Sequence, residues 1–322
     1  MKRYLRKTRS FFRLLFISVD KFITKIRSTI RAYFMPLIIR KRVKNGVLAL
    51  DIRNNNGLGS KLTWVLLLLA YCEERNLRLS VRFSYPKIHQ DFFHRFFQLK
   101  GKHASENNIN NLKHTVINSI IEVGPGAGDD RKITLEMAYK LVNHYIDVLP
   151  SILEVVKSYA LEYMNTTKIL GLHYRGTDKV GEAEIIEYQR VHDNIQLYIK
   201  KYGIPDKLFV ATDTQDFLSY ILSAELPFPV VYRVTDIRSL NNKAVHFGID
   251  TFEKAILINE EALVNCLLLS KCSFLLKSSS FLSDWSKLFN PKLGVTVLNK
   301  PFGWAMWFPG SALIENNAFE PL

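Results

Sequence analysis

The sequence predicts an α/β protein with two doubly wound domains that face a cleft, preceded by a basic helical arm. Strand-like and helix-like segments alternate along most of the 322 residues, 48% of the residues are apolar, and most of the net charge of +14 lies near the N-terminus. Alternating β and α segments favour parallel sheets covered by helices on both faces. The length and the apolar fraction are typical of a globular protein with a sizeable core.

The apolar, β-rich runs are short, as is typical of buried strands. They lie at 47–52, 77–83, 168–174, 208–212, 230–234, 273–276 and 294–298. Helical periodicity predicts helices at 60–75, 134–163, 185–201, 214–224, 260–270 and 281–289. We expect four regions: an arm (1–45), two Rossmann-like domains (46–164 and 165–300) and an aromatic C-terminal tail (301–322).

Residues 1–44 form the basic arm. They contain fourteen Lys or Arg and one acid, Asp20, so the arm carries +13 and the rest of the chain is nearly neutral. Apolar residues recur in the arm at spacings of three and four, which indicates a helix. A cationic amphipathic helix of this kind favours an anionic membrane surface. The alternative is a solvated basic helix that packs on the body of the protein.

Several function classes fit the sequence poorly. The arm has no uncharged run near the roughly 20 residues that span a bilayer, and its scattered basic residues argue against a cleaved signal peptide. No nucleic-acid-binding motif accompanies the basic residues, so we expect no nucleic-acid partner. Cys72, Cys266 and Cys272 have no CxxC spacing, which argues against a zinc site or a disulfide framework and favours buried thiols in a reducing compartment.

Polar side chains follow the carboxyl ends of several predicted strands. His173 and Arg175 end one strand on the same face, Asp213 follows the next, and a serine run that includes Ser279 and Ser280 precedes the helix predicted from 281. Doubly wound sheets bind ligands at this edge. An arginine can grip a phosphate with two hydrogen bonds, and a helix N-terminus attracts anions. The set predicts a pyrophosphate site without a metal requirement.

Each of these residues also has a structural explanation. His173 could be a hydrogen-bonded core histidine, Arg175 could pair with Asp178, and the serines could only cap a helix. Their convergence on one sheet edge favours the functional interpretation. Gly57 and Gly59 lie between a strand and an apolar helix, where glycine allows close approach of a ligand or a second domain, or simply a tight turn.

Four segments resemble motifs of the α-1,6-fucosyltransferases, a family that includes the rhizobial nodulation fucosyltransferases. "HYRGTDKVGEAE" resembles the motif HxRRTDKVGTEA, and "LFVATD" resembles a strand that ends in ATDD. "LLLSKCSFLLKSSSFLSDW" resembles a serine-rich motif, and "NGLGSKLTWVLLLLAYCEERNLRL" is similar to a glycine-rich motif shared with other fucosyltransferases. Order and spacing agree over roughly 50–290. The resemblance implies a GT-B fold, a GDP-fucose donor, an inverting mechanism and neither a cofactor nor a metal.

The resemblance also implies roles for individual residues. Arg175 would hold the donor pyrophosphate beside His173, and Asp178 and Lys179 would orient the donor and its loop. The implied donor-binding set is His173, Arg175, Thr177, Asp178, Lys179, Tyr188, Asp213, Asn265, Ser279, Ser280, Gly57 and Gly59. Residues 46–164 would then be the acceptor-side domain, and 165–300 would bind the nucleotide sugar.

Glu182 matches the glutamate of the family that deprotonates the acceptor, although a gap in the match leaves Glu184 open. Glu182 follows the turn at Gly181, whereas Glu184 is expected at the start of the next helix, where an acid is favourable for structural reasons. We therefore place Glu182 first.

The sequence departs from the family at two positions. Gly176 stands where the family has a second arginine, and Asn265 stands where it has the aspartate that reads guanine. An amide accepts hydrogen bonds at one end only, so a different nucleotide-sugar donor stays open. A further alternative is a membrane-associated nucleotide- or carbohydrate-binding protein without turnover. We expect a glycosyltransferase peripheral on the cytoplasmic face of a bacterial inner membrane, acting on a surface glycan or glycolipid.

Overall fold

A computed structural model describes residues 43–103, 112–124, 126–177, 181–239 and 245–314. The predicted arm, apart from its last three residues, lies outside these ranges, as do Asp178, Lys179 and the end of the predicted tail. None of the described helices is long and apolar enough to cross a membrane. The three cysteines are buried and form no disulfide.

The described residues of the first half of the chain contain a four-stranded sheet, a two-stranded sheet and three α-helices. In chain order the elements are β1 (Val43–Lys44), β2 (Val47–Arg53), α1 (Leu58–Glu74), β3 (Arg78–Ser84), β4 (Phe97–Leu99), β5 (Thr115–Ile117), α2 (Leu135–Tyr145), β6 (Ile146–Val148) and α3 (Pro150–Tyr163). Strand β2 pairs in parallel with β3 and β5 and antiparallel with β1, while β4 and β6 pair antiparallel with each other. The described part of this sheet therefore has three parallel strands.

The described residues of the second half form a five-stranded parallel sheet with helices. Its elements are β7 (Ile169–Tyr174), α4 (Tyr188–Tyr202), β8 (Lys207–Thr212), α5 (Gln215–Ser223), β9 (Val230–Tyr232), α6 (Phe252–Ser270), β10 (Phe274–Lys277), α7 (Phe281–Phe289), β11 (Gly294–Val297) and α8 (Gly310–Leu313). The strand order is β11-β10-β7-β8-β9, and all neighbours are parallel. The order reverses between β7 and β10, which is where doubly wound sheets bind their ligands.

The two halves share one hydrophobic core, which runs from β2 and α1 to Trp285 in α7. The Trp285 indole donates a hydrogen bond to Thr63 Oγ1 at 3.0 Å, so α7 is anchored on α1. A Cβ on Gly59 would lie 2.7 Å from the backbone nitrogen of Leu282, so only glycine allows this approach of the two helices. The predicted α/β architecture and its seven strands are confirmed.

Three helix predictions were wrong in their bounds. The predicted helix 134–163 is two helices separated by β6, because the residue before Pro150 favours extended backbone and Pro150 opens the second helix. Helix α6 starts at Phe252 rather than at 260, since the Thr251 hydroxyl caps it by accepting from the backbone nitrogen of Lys254. Helix α4 starts at Tyr188 rather than at 185. The short strands β1, β4, β5 and β6 were not predicted.

Candidate functional site

A cleft of about 620 Å³ lies between the two halves, and its lining includes residues that follow β7 and β8. This volume is in the range of small-molecule sites. The first half contributes Gly57 and Trp64, and the second half contributes Arg175, Asp213 and Asn265. The cleft therefore reaches the sheet edge at which the sequence predicted a site.

Arg175 follows β7 at the point where the strand order reverses. Its backbone nitrogen donates to Ser278 Oγ at 2.9 Å, and its guanidinium Nε lies 3.9 Å from Asp213 Oδ2. The Asp213 carboxylate also accepts from the Gly176 nitrogen at 3.2 Å and from Thr177 Oγ1 at 2.7 Å. Asp213 thus fixes the chain around Arg175, and Thr177 faces this carboxylate rather than the cleft lining.

Three buried polar atoms next to the cleft have no hydrogen-bond partner among the described residues: His173 Nδ1, Asn265 Oδ1 and Ser280 Oγ. His173 and Asn265 line the cleft itself, and Ser280 lines a small pocket beside it together with Glu182 and Ser279. Buried polar atoms in native proteins nearly always have partners, and leaving one unpaired costs about 1–3 kcal/mol. A bound polar ligand is one way to satisfy them.

His173 is neutral at physiological pH. Burial, together with the nearby cations of Lys277 and Arg175, lowers the pKa of His173 to about 3. A neutral imidazole has one donor and one acceptor nitrogen. His173 can therefore hydrogen-bond a ligand without adding charge, and Arg175 supplies the positive charge on this strand end.

Ser279 and Ser280 precede α7, as predicted. Ser280 occupies the N-cap position, but its side chain makes no capping hydrogen bond, so the alternative of a serine that only caps the helix does not hold for this residue. The Ser279 nitrogen instead donates to Asn299 Oδ1 at 2.7 Å, which ties the turn to the segment after β11. The N-terminus of α7 is thereby held beside the cleft, where its dipole favours an anion.

The structure separates the two candidate glutamates. Glu182 lines the cleft, and its backbone oxygen accepts from the Phe302 nitrogen at 2.8 Å. Glu184 is exposed and is not among the lining residues. It also does not belong to α4, contrary to the sequence expectation, because Tyr174 donates to the Ile186 carbonyl and keeps the chain extended until Tyr188. Of these two glutamates, Glu182 is therefore the one positioned to face a ligand in the cleft.

Two predicted positions have a packing role that the sequence did not indicate. Tyr188 packs edge-on against Tyr174, with ring centroids 5.5 Å apart, and is not part of the cleft lining. A Cβ on Gly176 would lie 2.7 Å from the Tyr174 ring and 2.8 Å from Thr214 Oγ1, so this backbone leaves no room for an arginine. The departure at Gly176 is thus built into the local packing.

Sequence reasoning missed Glu261, which lines the cleft one helical turn before Asn265 on α6. Both carboxylate oxygens accept from the Ile237 nitrogen, at 2.9 and 3.0 Å. Burial, together with the nearby Asp236 carboxylate, raises the pKa of Glu261 to about 7. The spacing of four residues on one helix face could have drawn attention to it.

The C-terminal tail was predicted only as aromatic, yet it supplies part of the site. Trp307 and Phe308 line the cleft beside Phe281. The Phe308 nitrogen donates to Asp130 Oδ2 at 3.0 Å, so the tail is fixed to the first half of the chain. Among the described residues, no group of three His, Cys, Asp or Glu side chains could hold a metal ion.

The parallel sheet with its cleft at the switch point fits an α/β fold of the GT-B type. No protein-family model and no curated protein matches the sequence. Among solved structures, NodZ α-1,6-fucosyltransferase soaked with GDP-fucose matches with a TM-score of 0.54 and 17% identity, over 79% of this chain and 98% of that one.

Two further structures agree with this match. Fucosyltransferase NodZ from Bradyrhizobium has a TM-score of 0.54 and 17% identity, over 77% of this chain and 95% of that one. NodZ co-crystallized with GDP has a TM-score of 0.50 and the same identity, over 77% and 94%. The predicted resemblance to α-1,6-fucosyltransferases is thus confirmed at the level of the fold.

Proposed function

We propose that this protein is an inverting, metal-independent glycosyltransferase that transfers fucose from GDP-fucose to a hydroxyl of a surface glycan or glycolipid. The observation that carries the proposal is the cluster at the switch point: the Arg175 cation, the N-terminus of α7 and three buried polar atoms without partners next to one cleft. The structures of similar fold soaked with GDP-fucose or co-crystallized with GDP support this choice of donor.

The chemistry of the transfer assigns one role to Glu182 and another to Arg175 and the N-terminus of α7. Glu182 takes the proton from the acceptor hydroxyl, because a hydroxyl is a poor nucleophile until its proton is removed. The oxygen attacks the anomeric carbon from the face opposite the nucleotide, and the bond to the diphosphate breaks, which inverts the configuration. The diphosphate leaves with added negative charge, which Arg175 and the α7 N-terminus stabilise.

The remaining donor-binding assignments follow from position. We assign His173, at the end of β7, and Ser279 and Ser280, before α7, to the diphosphate. Asn265 and Glu261 line the part of the cleft along α6. Asp213 and Thr177 position the chain around Arg175. Gly57 lines the cleft with nothing within 4 Å of a hypothetical Cβ, so its backbone is open to a ligand. Asp178 and Lys179 keep the roles that the resemblance implies.

A second candidate function is transfer of a different sugar from a different nucleotide. Gly176 and Asn265, the two departures from the family, favour it. The close packing at Gly176 removes one cation from the phosphate region, and Asn265 Nδ2 is already committed to Asp236 Oδ2 at 2.9 Å. A binding protein without turnover is the third possibility, for which Glu182 in the cleft has no use.

One experiment tests all three functions. Purified protein is mixed separately with GDP-fucose, GDP-mannose, UDP-glucose and UDP-galactose, with cellobiose, lactose and water as possible sugar acceptors, and release of nucleoside diphosphate is measured. We expect release of GDP from GDP-fucose and its loss in Arg175→Ala. Removing one preorganised hydrogen-bond donor from an active site typically lowers the reaction rate by about 100–1000-fold. Arg175→Lys should recover little, because a point charge cannot make the two-pronged contact of a guanidinium.

The outcomes separate the candidates. Release from another donor alone selects the second function, and tight nucleotide binding without release from any donor selects the third. Near-normal release of nucleoside diphosphate by a folded Arg175→Ala protein would contradict the assignment of Arg175 to the site.

Membrane attachment of the basic arm, at the cytoplasmic face of a bacterial inner membrane, is part of the same proposal. The charge of +13 in residues 1–44 supports it. Deleting these residues should release the protein from vesicles that contain anionic lipid while nucleotide binding persists. Unchanged sedimentation of the truncated protein with such vesicles would contradict this role.

A further inference from the structure

Large aromatic side chains are exposed where the tail passes the cleft. After β11 the chain runs through Phe302, Trp304 and Trp307, and the exposed fractions of Trp304 and Trp307 are 63% and 39%. Aromatic groups bury large areas when they bind, and a contiguous exposed patch of them usually marks a contact site. We call Phe281, Trp304 and Trp307 the aromatic ledge.

The ledge is fixed in place beside Glu182. The Phe302 nitrogen donates to the Glu182 carbonyl at 2.8 Å, and Ala183 forms a β-bridge with Pro301. The segment that carries the tryptophans therefore moves together with the segment that carries the proposed base. A ligand on the ledge would lie next to the position where an acceptor hydroxyl must meet Glu182.

The ring planes of the ledge form a corner. Trp307 lies nearly parallel to Phe281, with ring centroids 6.0 Å apart and an interplanar angle of 15°. Trp304 meets Trp307 at 78° with centroids 5.9 Å apart. Trp307 lines the cleft, whereas Trp304 is not among the lining residues and extends the aromatic surface outward.

Such a corner suits a chain of sugars better than a single one. One face of a pyranose ring presents C–H groups, whose partial positive charge is attracted to the negative face of an aromatic ring. A sugar that places its hydroxyl near Glu182 would contact Trp307 in the cleft. The next sugar of the same chain would then lie along Trp304, which continues the aromatic surface outward from the cleft.

We infer that the aromatic ledge is an acceptor subsite and that the acceptor is an oligosaccharide of at least two pyranose units, with the second unit on Trp304. The inference rests on the proposed transfer to a carbohydrate hydroxyl. A membrane surface is the other partner that exposed tryptophans can suit. The position of Trp307 in the cleft and the link between Phe302 and Glu182 favour the sugar chain.

The test uses the full chain and saturation-transfer NMR, in which the aromatic protons are irradiated. The probes are methyl β-glucopyranoside, methyl β-galactopyranoside, cellobiose and lactose. We expect transfer to the C–H protons of at least one disaccharide, with a dissociation constant about 5- to 10-fold weaker in Trp304→Ala. Trp304→Phe should recover part of the affinity, because an aromatic face remains.

Tyr163→Ala is the matched control. Tyr163 is 43% exposed at the end of α3 and is not part of the cleft lining, so its removal should leave disaccharide binding unchanged. Single pyranosides should bind Trp304→Ala as they bind the unmodified protein, since they need only Trp307. In transfer assays with an active oligosaccharide, Trp304→Ala should raise the acceptor KM and leave kcat nearly unchanged.

Several results would overturn the inference. Equal disaccharide affinity in Trp304→Ala and the unmodified protein would contradict the proposed subsite. The absence of any transfer of saturation to the disaccharides would contradict it as well. Loss of binding to anionic vesicles in Trp304→Ala, with sugar signals unchanged, would assign the ledge to a membrane instead. GDP binding by calorimetry is measured on the same samples, and its failure would contradict the proposed donor without touching the sugar result.

Discussion

Lys61 in the first half of the chain and the group of His173, Asn265 and Ser280 in the second half are all buried, but their polar atoms differ in partners. Lys61 Nζ donates to the carbonyls of Ile52 and Ser84, both at 3.1 Å, and to the backbone and side chain of Asn54. His173 Nδ1, Asn265 Oδ1 and Ser280 Oγ have no partner among the described residues.

The difference separates a structural centre, formed by Lys61 and its acceptors, from a binding centre, formed by His173, Asn265 and Ser280. A buried polar group that the protein satisfies stabilises the fold, because removing it strands its partners. An unsatisfied one costs stability unless a ligand supplies the missing partner. Lys61 therefore fastens β2 and β3 to the start of α1, whereas the second group keeps polar atoms available beside the cleft.

The largest expected effect of a substitution is the loss of transfer rate on replacing Glu182, one of the two glutamates after β7. Glu182→Gln should lower the transfer rate by roughly 100–10,000-fold, because an amide cannot take the acceptor proton. Donor affinity should stay nearly unchanged, since the base contacts the acceptor rather than the diphosphate. The measurement is the transfer rate together with GDP binding by calorimetry.

Glu184→Gln is the matched control for this prediction. Its side chain is exposed outside the cleft lining, so both transfer and binding should persist. An inactive Glu184→Gln beside an active Glu182→Gln would exchange the two assignments. If both variants stay active, another residue takes the proton.

Lys61→Met should destabilise the protein by about 2–4 kcal/mol, because each buried carbonyl left without a donor costs about 1–3 kcal/mol. Burial lowers the pKa of Lys61 to about 7 against the opposing attraction of Asp51, so part of the charge is already lost at neutral pH. Urea unfolding measures the loss.

Lys100→Met is the control, because it removes a part-exposed pair with Asp147 and should change stability by less than about 1 kcal/mol. An unchanged or more stable Lys61→Met protein would mean that the centre is dispensable.

The sequence predicted the fold better than its details. The seven apolar runs were found because buried parallel strands read as continuous apolar segments. Strand β6 was missed because its three residues continue the apolar pattern of the flanking helices, and only the pairing with β4 makes it a strand. Local pattern cannot reveal pairing between segments that lie 47 positions apart, as Leu99 and Ile146 do.

The lining of the cleft could be predicted where a residue sits directly at a strand end. Arg175, His173 and Asp213 all line the cleft, because the end of a parallel strand fixes where the next side chain points. Glu261 and Trp307 were missed, since they reach the cleft through helix packing and through the course of the tail. The resemblance assigned Tyr188 to the donor-binding set, but its side chain packs in an aromatic cluster, which only the positions of Tyr174 and Phe217 reveal.

The lowered pKa of His173, in the binding centre, predicts how the stability of the protein depends on pH. Its pKa is about 3 in the folded protein and near 6.5 when unfolded, so unfolding takes up a proton between these values. Stability is therefore present above about pH 6.5 and lost as the pH falls, by about 2 kcal/mol between about pH 7 and about pH 5. His173→Gln should remove this part of the pH dependence in urea unfolding. His103, whose pKa burial lowers to about 4, contributes in the same direction, and His103→Gln separates the two.

Ser280→Ala gives the smallest effect and the most direct test of the comparison. Ser280 Oγ is buried without a partner, so its removal should leave stability unchanged or raise it by about 1 kcal/mol. The same change should weaken GDP binding by about 10-fold, because a hydrogen bond to a charged group is lost. Ser286→Ala, in the same helix, is the control: Ser286 Oγ donates to the Cys266 carbonyl at 2.9 Å, so this variant should lose about 1–3 kcal/mol while GDP binding holds. Thermal unfolding and calorimetry on both variants measure the two quantities. If Ser280→Ala instead loses stability and keeps its affinity for GDP, the hydroxyl is structural and the division between the two centres does not hold at this residue.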